Sequence, residues 1–205
     1  MTIVLASASP RRQELLRNAG IPFTVQPADI NETALENESP RDCAERLARE
    51  KALAIFQSRP QDYVLGADTI VVVDDTILGK PRNADDAFRM LRLLSGRTHS
   101  VITGVCVVGP VAGGHRLAAS DSEGLRTENR ELRTASETTF VKMCDLSDEQ
   151  IRDYIATGEP MDKAGAYAIQ GIASRWIPRI EGDYSNVVGL PVALVYGMLR
   201  ERGLI

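Results

Sequence analysis

Short runs of consecutive apolar and β-branched residues alternate along this chain with stretches in which apolar residues recur every three to four positions, the pattern of strands interleaved with amphipathic helices. Ile3-Val4-Leu5-Ala6 opens as a strand, and Ser9 followed by Pro10 gives the cap and first-position signal of a helix that runs on through Leu15 and Leu16. Ile21 to Val25 reads as a second strand. Ser39-Pro40 repeats the helix-start signal, and the spacing of Cys43, Leu47, Leu53 and Ile55, with Ala44, Ala48 and Ala52 between them, carries that helix to about Gln57, with Lys51 in its last turns. Tyr63 to Val73 is the strongest strand, nearly all apolar, and Asp74-Asp75 turns it into Ile77-Leu78.

Ala84 to Leu94 predicts a helix stopped by Ser95-Gly96, and Ser100 to Val108 a long strand. Gly109 to Ala135 breaks the rhythm, being polar and aperiodic; it reads as a loop excursion between two strands able to pair as a hairpin. Strand character resumes over Thr138 to Met143. Ser147 and Gln150 form a capping box for a helix ending near Thr157-Gly158. Asp162 to Gly171 and Gly182 to Gly189 read as glycine-punctuated loops, and Pro191 to Arg202 as a closing amphipathic helix. The whole chain, 1–205, fits one domain with two lobes and an irregular insertion at about 109–135.

Composition narrows the chemistry. A formal charge of −4 opposes binding to a nucleic-acid polymer or an anionic membrane surface, so any anion must be held by a local cluster. No run is long enough to span a bilayer, and Met1 leads directly into a core-type strand without a cleavage signal, an expectation of a cytoplasmic protein. Cys43, Cys106 and Cys144 lack any close pair, which suggests neither a disulfide framework nor zinc, and they read as buried or half-buried thiols. His99 and His115 fall in no triad or ligand spacing, leaving carboxylates, lysine and arginine to carry chemistry.

Five segments could do so. Ser7, Ser9, Arg11 and Arg12 surround the start of the first helix, whose unpaired N–H groups attract anions; a plain cap beside solvated arginines is the alternative. Asp68 is a carboxylate inside a hydrophobic strand, costly unless it is paired, metal-bound or working, the alternative being a strand-end acid bonded to a turn. The acidic loop with Asp29, Glu32, Glu36 and Glu38 could hold a metal. Lys80, between Gly79 and Pro81, suits a fixed ammonium donor, and Gln170 ends a small-residue segment with an amide able to read a base edge or to satisfy its own loop. Glu181 to Pro191 reads as a turn docking the last helix.

Together these segments resemble the Maf family of nucleoside triphosphate pyrophosphatases: Ala6-Ser7-Ala8-Ser9-Pro10-Arg11-Arg12, Gly66-Ala67-Asp68-Thr69, Gly79-Lys80-Pro81, Ser95-Gly96 to Thr103-Gly104, Asp162 to Gly171, and Gly182 to Pro191 occur in family order over nearly the whole chain. Arg11, Thr69 and Gln170 are similar to the dTTP/UTP branch; the branch acting on 7-methyl-GTP typically has Trp, Gln and Glu there. Gly109 to Ala135 is longer than the corresponding family loop.

The resemblance implies a mixed, twisted α/β sheet with flanking helices, an elongated two-lobed architecture around a central cleft, and a homodimer. It also implies hydrolysis of a nucleoside triphosphate to the monophosphate and pyrophosphate, by water attacking the α-phosphorus. Its expected parts are Asp68 as general base; Mg²⁺ or Mn²⁺ on Asp68 and Glu32; Ser7, Arg12, Lys80 and Lys51 on the phosphates; and Arg11, Thr69 and Gln170 choosing the base. Family members have been associated with inhibition of septum formation, so a nucleotide-binding regulator with little turnover is the rival. A kinase or nucleotidyltransferase is disfavoured, since no Walker-type loop is present.

Overall fold

The computed structural model describes residues 3–74, 76–111 and 130–205. Its centre is β3 (Tyr63–Val73), bonded along one edge to β5 (Thr98–Pro110) with Asp68 opposite Gly104 and Thr69 opposite Thr103. On its other edge β3 pairs in parallel with β1 (Ile3–Leu5), only over Tyr63 to Leu65, and antiparallel with β4 (Thr76–Leu78), only over Val71 to Val73. Residues 66–70 therefore have an open edge between two short partners, and the cleft described below lies there. β2 (Phe23–Val25) adds in parallel to β1; β6 (Arg130–Lys142) and β7 (Arg179–Glu181) extend the far side antiparallel, completing a mixed seven-stranded sheet. The predicted α/β class holds.

Alternation along β3 sends even-numbered side chains to one face and odd-numbered ones to the other. On the even face Val64 joins a cluster with Ala48, Ala52 and Ile55, while Ile70 and Val72 join one with Ala44 and Ile102. On the odd face Leu65 and Ala67 pack with Leu190, Val195 and Met198, while Val71 and Val73 pack with Met90, Leu94 and Tyr154. Each face thus carries an apolar cluster at each end of the strand, and between them stands one polar side chain: Asp68 on the even face, Thr69 on the odd.

The even face is covered by α2 (Pro40–Phe56), capped by Ser39, whose Oγ accepts Asp42 N at 3.2 Å. It lies unusually close because two strand residues have no side chain. A Cβ on Gly66 would stand 2.1 Å from the Ala48 carbonyl oxygen, and one on Gly104 2.2 Å from that of Ala44. That approach brings Lys51, one turn beyond Ala48, over Asp68. The other face is covered by α1 (Pro10–Asn18), α3 (Ala84–Leu94), α4 (Asp148–Ala156), α5 (Tyr184–Val188) and α6 (Val192–Arg200).

Several boundaries differ from the sequence reading. Gly109 and Pro110 belong to β5 and Arg130 to Ala135 to β6, so strand flanks both sides of the expected excursion, whose residues 112–129 lie outside the described ones. The polar composition of β6 hid it: most of the strand is half-buried or exposed, and the ladder to β5 holds it without an apolar face. Gly182 to Gly189 is not all loop, since Asp183 caps α5 by accepting Ser185 N at 2.7 Å. β7 was not foreseen. Cys144 is exposed, whereas Cys43 and Cys106 are buried; all three are free thiols.

A candidate nucleotide cleft at the open edge of β3

A cleft of about 700 Å³ opens where β3 lacks a partner, and Ser7, Arg11, Arg12, Glu32, Lys51, Asp68, Thr69, Lys80 and Gln170, the full predicted set, line it. The sequence places them on six separate segments. The gap in the sheet is what joins them.

One wall is charged. Lys51 Nζ sits 2.6 Å from Asp68 Oδ1 and 2.6 Å from Glu32 Oε1, bridging two carboxylates, and Lys80 Nζ lies 3.2 Å from Glu32 Oε2. Burial pushes the Glu32 carboxyl up, but the bonds from Lys51 and the charge of both lysines outweigh it and hold the group below its usual range. Lys51 is buried and Lys80 exposed, so one ammonium is built into the wall while the other hangs at its mouth. The second oxygen of Asp68 accepts no hydrogen bond from the described residues. Of the acidic loop only Glu32 reaches this point. Glu38 is braced by Arg46 at 2.7 Å, which pulls its carboxyl down to about 2, and among the described residues no three His, Cys, Asp or Glu side chains converge as a metal cage. Cys43 also lines the cleft, where burial pushes its thiol up to about 11, away from the thiolate form that a nucleophile needs.

The floor is the start of α1. Pro10 occupies its first turn and Ser9 accepts from Arg12 N at 3.5 Å, leaving the helix end turned to the cleft beside Ser7. Arg12 does not point its guanidinium into the opening. Its Nε donates to the Gly189 carbonyl at 2.7 Å, Nη1 to Ala67 O at 2.8 Å and Ser7 Oγ at 3.2 Å, and Nη2 to Thr69 Oγ1 at 3.0 Å. Ala67 is two residues beyond Leu65, whose carbonyl bonds Ala6 N, so Arg12 satisfies the next outward carbonyl on the unpaired edge. Four of its five N–H groups are committed to protein, leaving one for a ligand.

The other wall is neutral. Thr69 stands beside Arg12, and behind it lie Thr103, Thr139 and Asn186, with none of their surface exposed. Asn186 Nδ2 donates to Val101 O and Thr139 Oγ1, each at 3.0 Å. The segment 162–171 closes over this side as short 3-10 turns, with Gly165 and Ala166 both at positive φ, 67° and 60°. It is pinned by Gly165 N on Gly79 O at 3.1 Å, by Ala168 N on the Tyr154 hydroxyl at 3.2 Å, and by His99 Nε2 against Tyr167 OH at 2.8 Å. Gln170 ends it at the rim, exposed, its amide free of protein hydrogen bonds among the described residues. Arg11 reaches across to Asp162 at 3.7 Å, tying the helix start to the same segment. Sequence reasoning passed over Thr103, Asn186 and His99 as carriers of function; the available signal was a polar residue at each of these otherwise apolar positions.

The chain matches the Maf family model, described as Maf-like protein, over residues 2–202. It is 52% identical over 205 residues to a dTTP/UTP pyrophosphatase of Koribacter versatilis, covering 100% of this chain and 96% of that protein. A Syntrophomonas wolfei protein of the same name is 48% identical over 199 residues, covering 97% and 96%, and one from Geobacter sp. (strain M21) is 50% identical over 202, covering 98% and 96%.

Proposed function

The chain belongs to the Maf family, and from that premise we propose that it is a nucleoside triphosphate pyrophosphatase, hydrolysing dTTP and UTP to the monophosphate and pyrophosphate. The observation that supports this reading best is one cleft with a wall of carboxylates and ammonium groups facing a wall of neutral hydrogen-bonding groups. Such a site suits a ligand that is highly charged at one end and neutral and planar at the other.

In this reading the phosphates lie along the charged wall. Ser7, the N–H groups at the start of α1 and Lys80 receive the outer phosphates, where negative charge grows as pyrophosphate leaves. Asp68, with one oxygen unengaged, takes a proton from the attacking water. Lys51 holds Asp68 and Glu32 together and supplies positive charge to the phosphoryl oxygens. Arg12 acts mainly by fixing Ser7, Ala67 and Thr69 in place, with one N–H left for a phosphate or base.

Asp68 and Glu32 also suit Mg²⁺ or Mn²⁺. They already share one cation, the Lys51 ammonium, and they offer only hard oxygen donors; Mg²⁺ is commonly held by one or two carboxylates together with substrate phosphates. When bound, such a cation polarises the phosphoryl group and helps ionise water. Gln170, Thr69 and Arg11 face the base. The same reading extends to a cytoplasmic homodimer, which light scattering and fractionation would check; among the described residues no helix is long and apolar enough to cross a membrane.

The experiment is pyrophosphate release from dTTP, UTP, CTP, GTP, ATP and 7-methyl-GTP with Mg²⁺ or Mn²⁺, with Asp68→Asn as control. Release from dTTP and UTP that disappears in the variant is expected; no release from any nucleotide would overturn the enzymatic reading in favour of a binding role.

A further inference from the structure

A pyrimidine reader that accepts uracil and rejects cytosine needs a group of fixed polarity, and Gln170 is not one. Its exposed amide is a donor on one side and an acceptor on the other, and turning it over matches either base. Thr69 is held differently. Its hydroxyl oxygen accepts Arg12 Nη2 at 3.0 Å, meets Thr103 Oγ1 at 2.9 Å and lies 3.3 Å from the Gly189 carbonyl, while Thr103 reaches the Asn186 carbonyl at 3.1 Å. Both ends of this series run one way, because a guanidinium only donates and a backbone carbonyl only accepts.

Two hydroxyl protons have to be placed within it. With Thr69 donating to Thr103 and Thr103 to Asn186, every bond from the arginine to the buried carbonyl is made, and Thr69 turns a lone pair to the cleft. The reverse order, Thr103 donating to Thr69 and Thr69 into the cleft, gives up the bond to the Asn186 carbonyl. Losing that one buried hydrogen bond makes the reverse order about tenfold rarer. The Asn186 carbonyl cannot drift to relax this preference, since its side chain is fixed by Val101 O and Thr139 Oγ1, and Thr139 is itself engaged by Asp183.

We infer that Thr103, anchored on Asn186, is a positioning residue that makes Thr69 a hydrogen-bond acceptor toward the base, selecting the ring N3–H of uracil and thymine against the bare ring nitrogen of cytosine. This rests on the pyrimidine nucleotide reading above. Neither Thr103 nor Asn186 touches the ligand; their effect passes through the direction of one proton.

The test is kcat/KM for UTP and CTP in the wild type, Thr103→Val and Thr103→Ser. Without the Thr103 hydroxyl, the only acceptor left for the Thr69 proton among the described residues is the Gly189 carbonyl at 3.3 Å, beyond the usual O–H···O range and shared with Arg12 Nε. The UTP/CTP ratio should therefore fall about tenfold in Thr103→Val, chiefly because CTP improves, and stay near the wild-type ratio in Thr103→Ser. A merely structural role would lower both substrates together. An unchanged ratio, or an equal loss on both nucleotides, overturns the inference.

3-Deaza-UTP, which lacks N3–H and carries a 4-hydroxyl in place of the C4 carbonyl, tests the need for that N–H without a variant. The wild type should handle it about tenfold worse than UTP, and equal turnover would overturn the inference even if Thr103→Val failed to fold. A wild type that prefers UTP and dTTP, with a Thr103→Val ratio unmoved, refutes the proton-direction argument alone; a wild type inactive on all nucleotides refutes the substrate reading with it.

Discussion

Asp68 and Thr69 are neighbours on one strand, yet they face two differently built regions. The even face at Asp68 is a set of charges held by a few direct contacts: one buried lysine between two carboxylates, and a second lysine largely in solvent. The odd face at Thr69 is a continuous, buried series of neutral groups ending on backbone, with a single guanidinium at its head. Ion pairs of the first kind rearrange readily when phosphates or a divalent cation offer replacement partners. A buried hydrogen-bonded network of the second kind, in which only the Asn186 Oδ1 has no partner among the described residues, gains its value from not rearranging. On the function proposed above, the difference teaches how one gap in a sheet would serve two tasks, with reactive groups on one side of the strand and reading groups on the other.

The most severe way to break the charged side is Asp68→Asn. Lys51 keeps Glu32 at 2.6 Å, so the ammonium is not stranded and the fold should persist. Removing the base should nevertheless cut kcat by about 10³-fold or more, as loss of a general base together with a cation ligand does. Circular dichroism and pyrophosphate release on one preparation check both halves, and near-wild-type turnover would remove Asp68 from the chemistry.

Arg12→Met breaks the neutral side at its head. It strips a donor from Gly189 O, Ala67 O, Ser7 Oγ and Thr69 Oγ1 at once, which should destabilise the protein by about 3–5 kcal/mol, the scale for leaving several buried acceptors without a donor. Urea unfolding reads this directly. An Arg12 that served only to bind phosphate would leave the urea midpoint where it was.

How much of this was legible beforehand follows from the same contrast. Asp68 and Lys80 stood out because a charge in an apolar strand, or between glycine and proline, announces a local cost or a local purpose, and Arg11 because it stands at the start of a helix. β3 and α2 were readable from periodicity. The open edge between β1 and β4 was not, because it arises from how far each short strand pairs along β3, a long-range property that no local pattern encodes. Thr103 and Asn186 look in sequence like an ordinary strand threonine and an ordinary turn asparagine; only their burial beside Thr69 gives them consequence. Likewise the first part of β6, Arg130 to Ala135, read as loop, because its hydrogen bonds to β5, not its composition, make it a strand.

Gln170→Glu sharpens the comparison at the rim. The exposed amide carries no structural bond among the described residues, so stability should hardly change, while an ionised carboxylate can only accept and would face the carbonyls of uracil or thymine. Turnover of dTTP and UTP should fall about 10- to 100-fold, the range for mismatching one polar contact in a built site. Equal activity on dTTP would remove Gln170 from base reading.

The mildest effect concerns the pin beneath that rim, and it tests whether the neutral side is neutral by construction. His99 is 2% exposed, bonded through Nε2 to Tyr167 OH, and its Nδ1 has no partner among the described residues. Burial pushes the imidazole down to about 4. The unfolded chain takes up its proton near pH 6.5, and the folded one resists it until about pH 4, so the native state binds fewer protons throughout that window. The contribution is complete above pH 6.5 and is lost progressively as the pH falls toward 4. Lowering the pH from 6.5 to 5.5 should therefore cost the wild type about 1 kcal/mol more than it costs His99→Gln, whose amide can still reach Tyr167 without titrating. Urea midpoints of both proteins at the two pH values give the difference. If they shift in parallel, the imidazole is taking its proton inside the fold, and the wall that holds Gln170 tolerates a charge it is built to exclude.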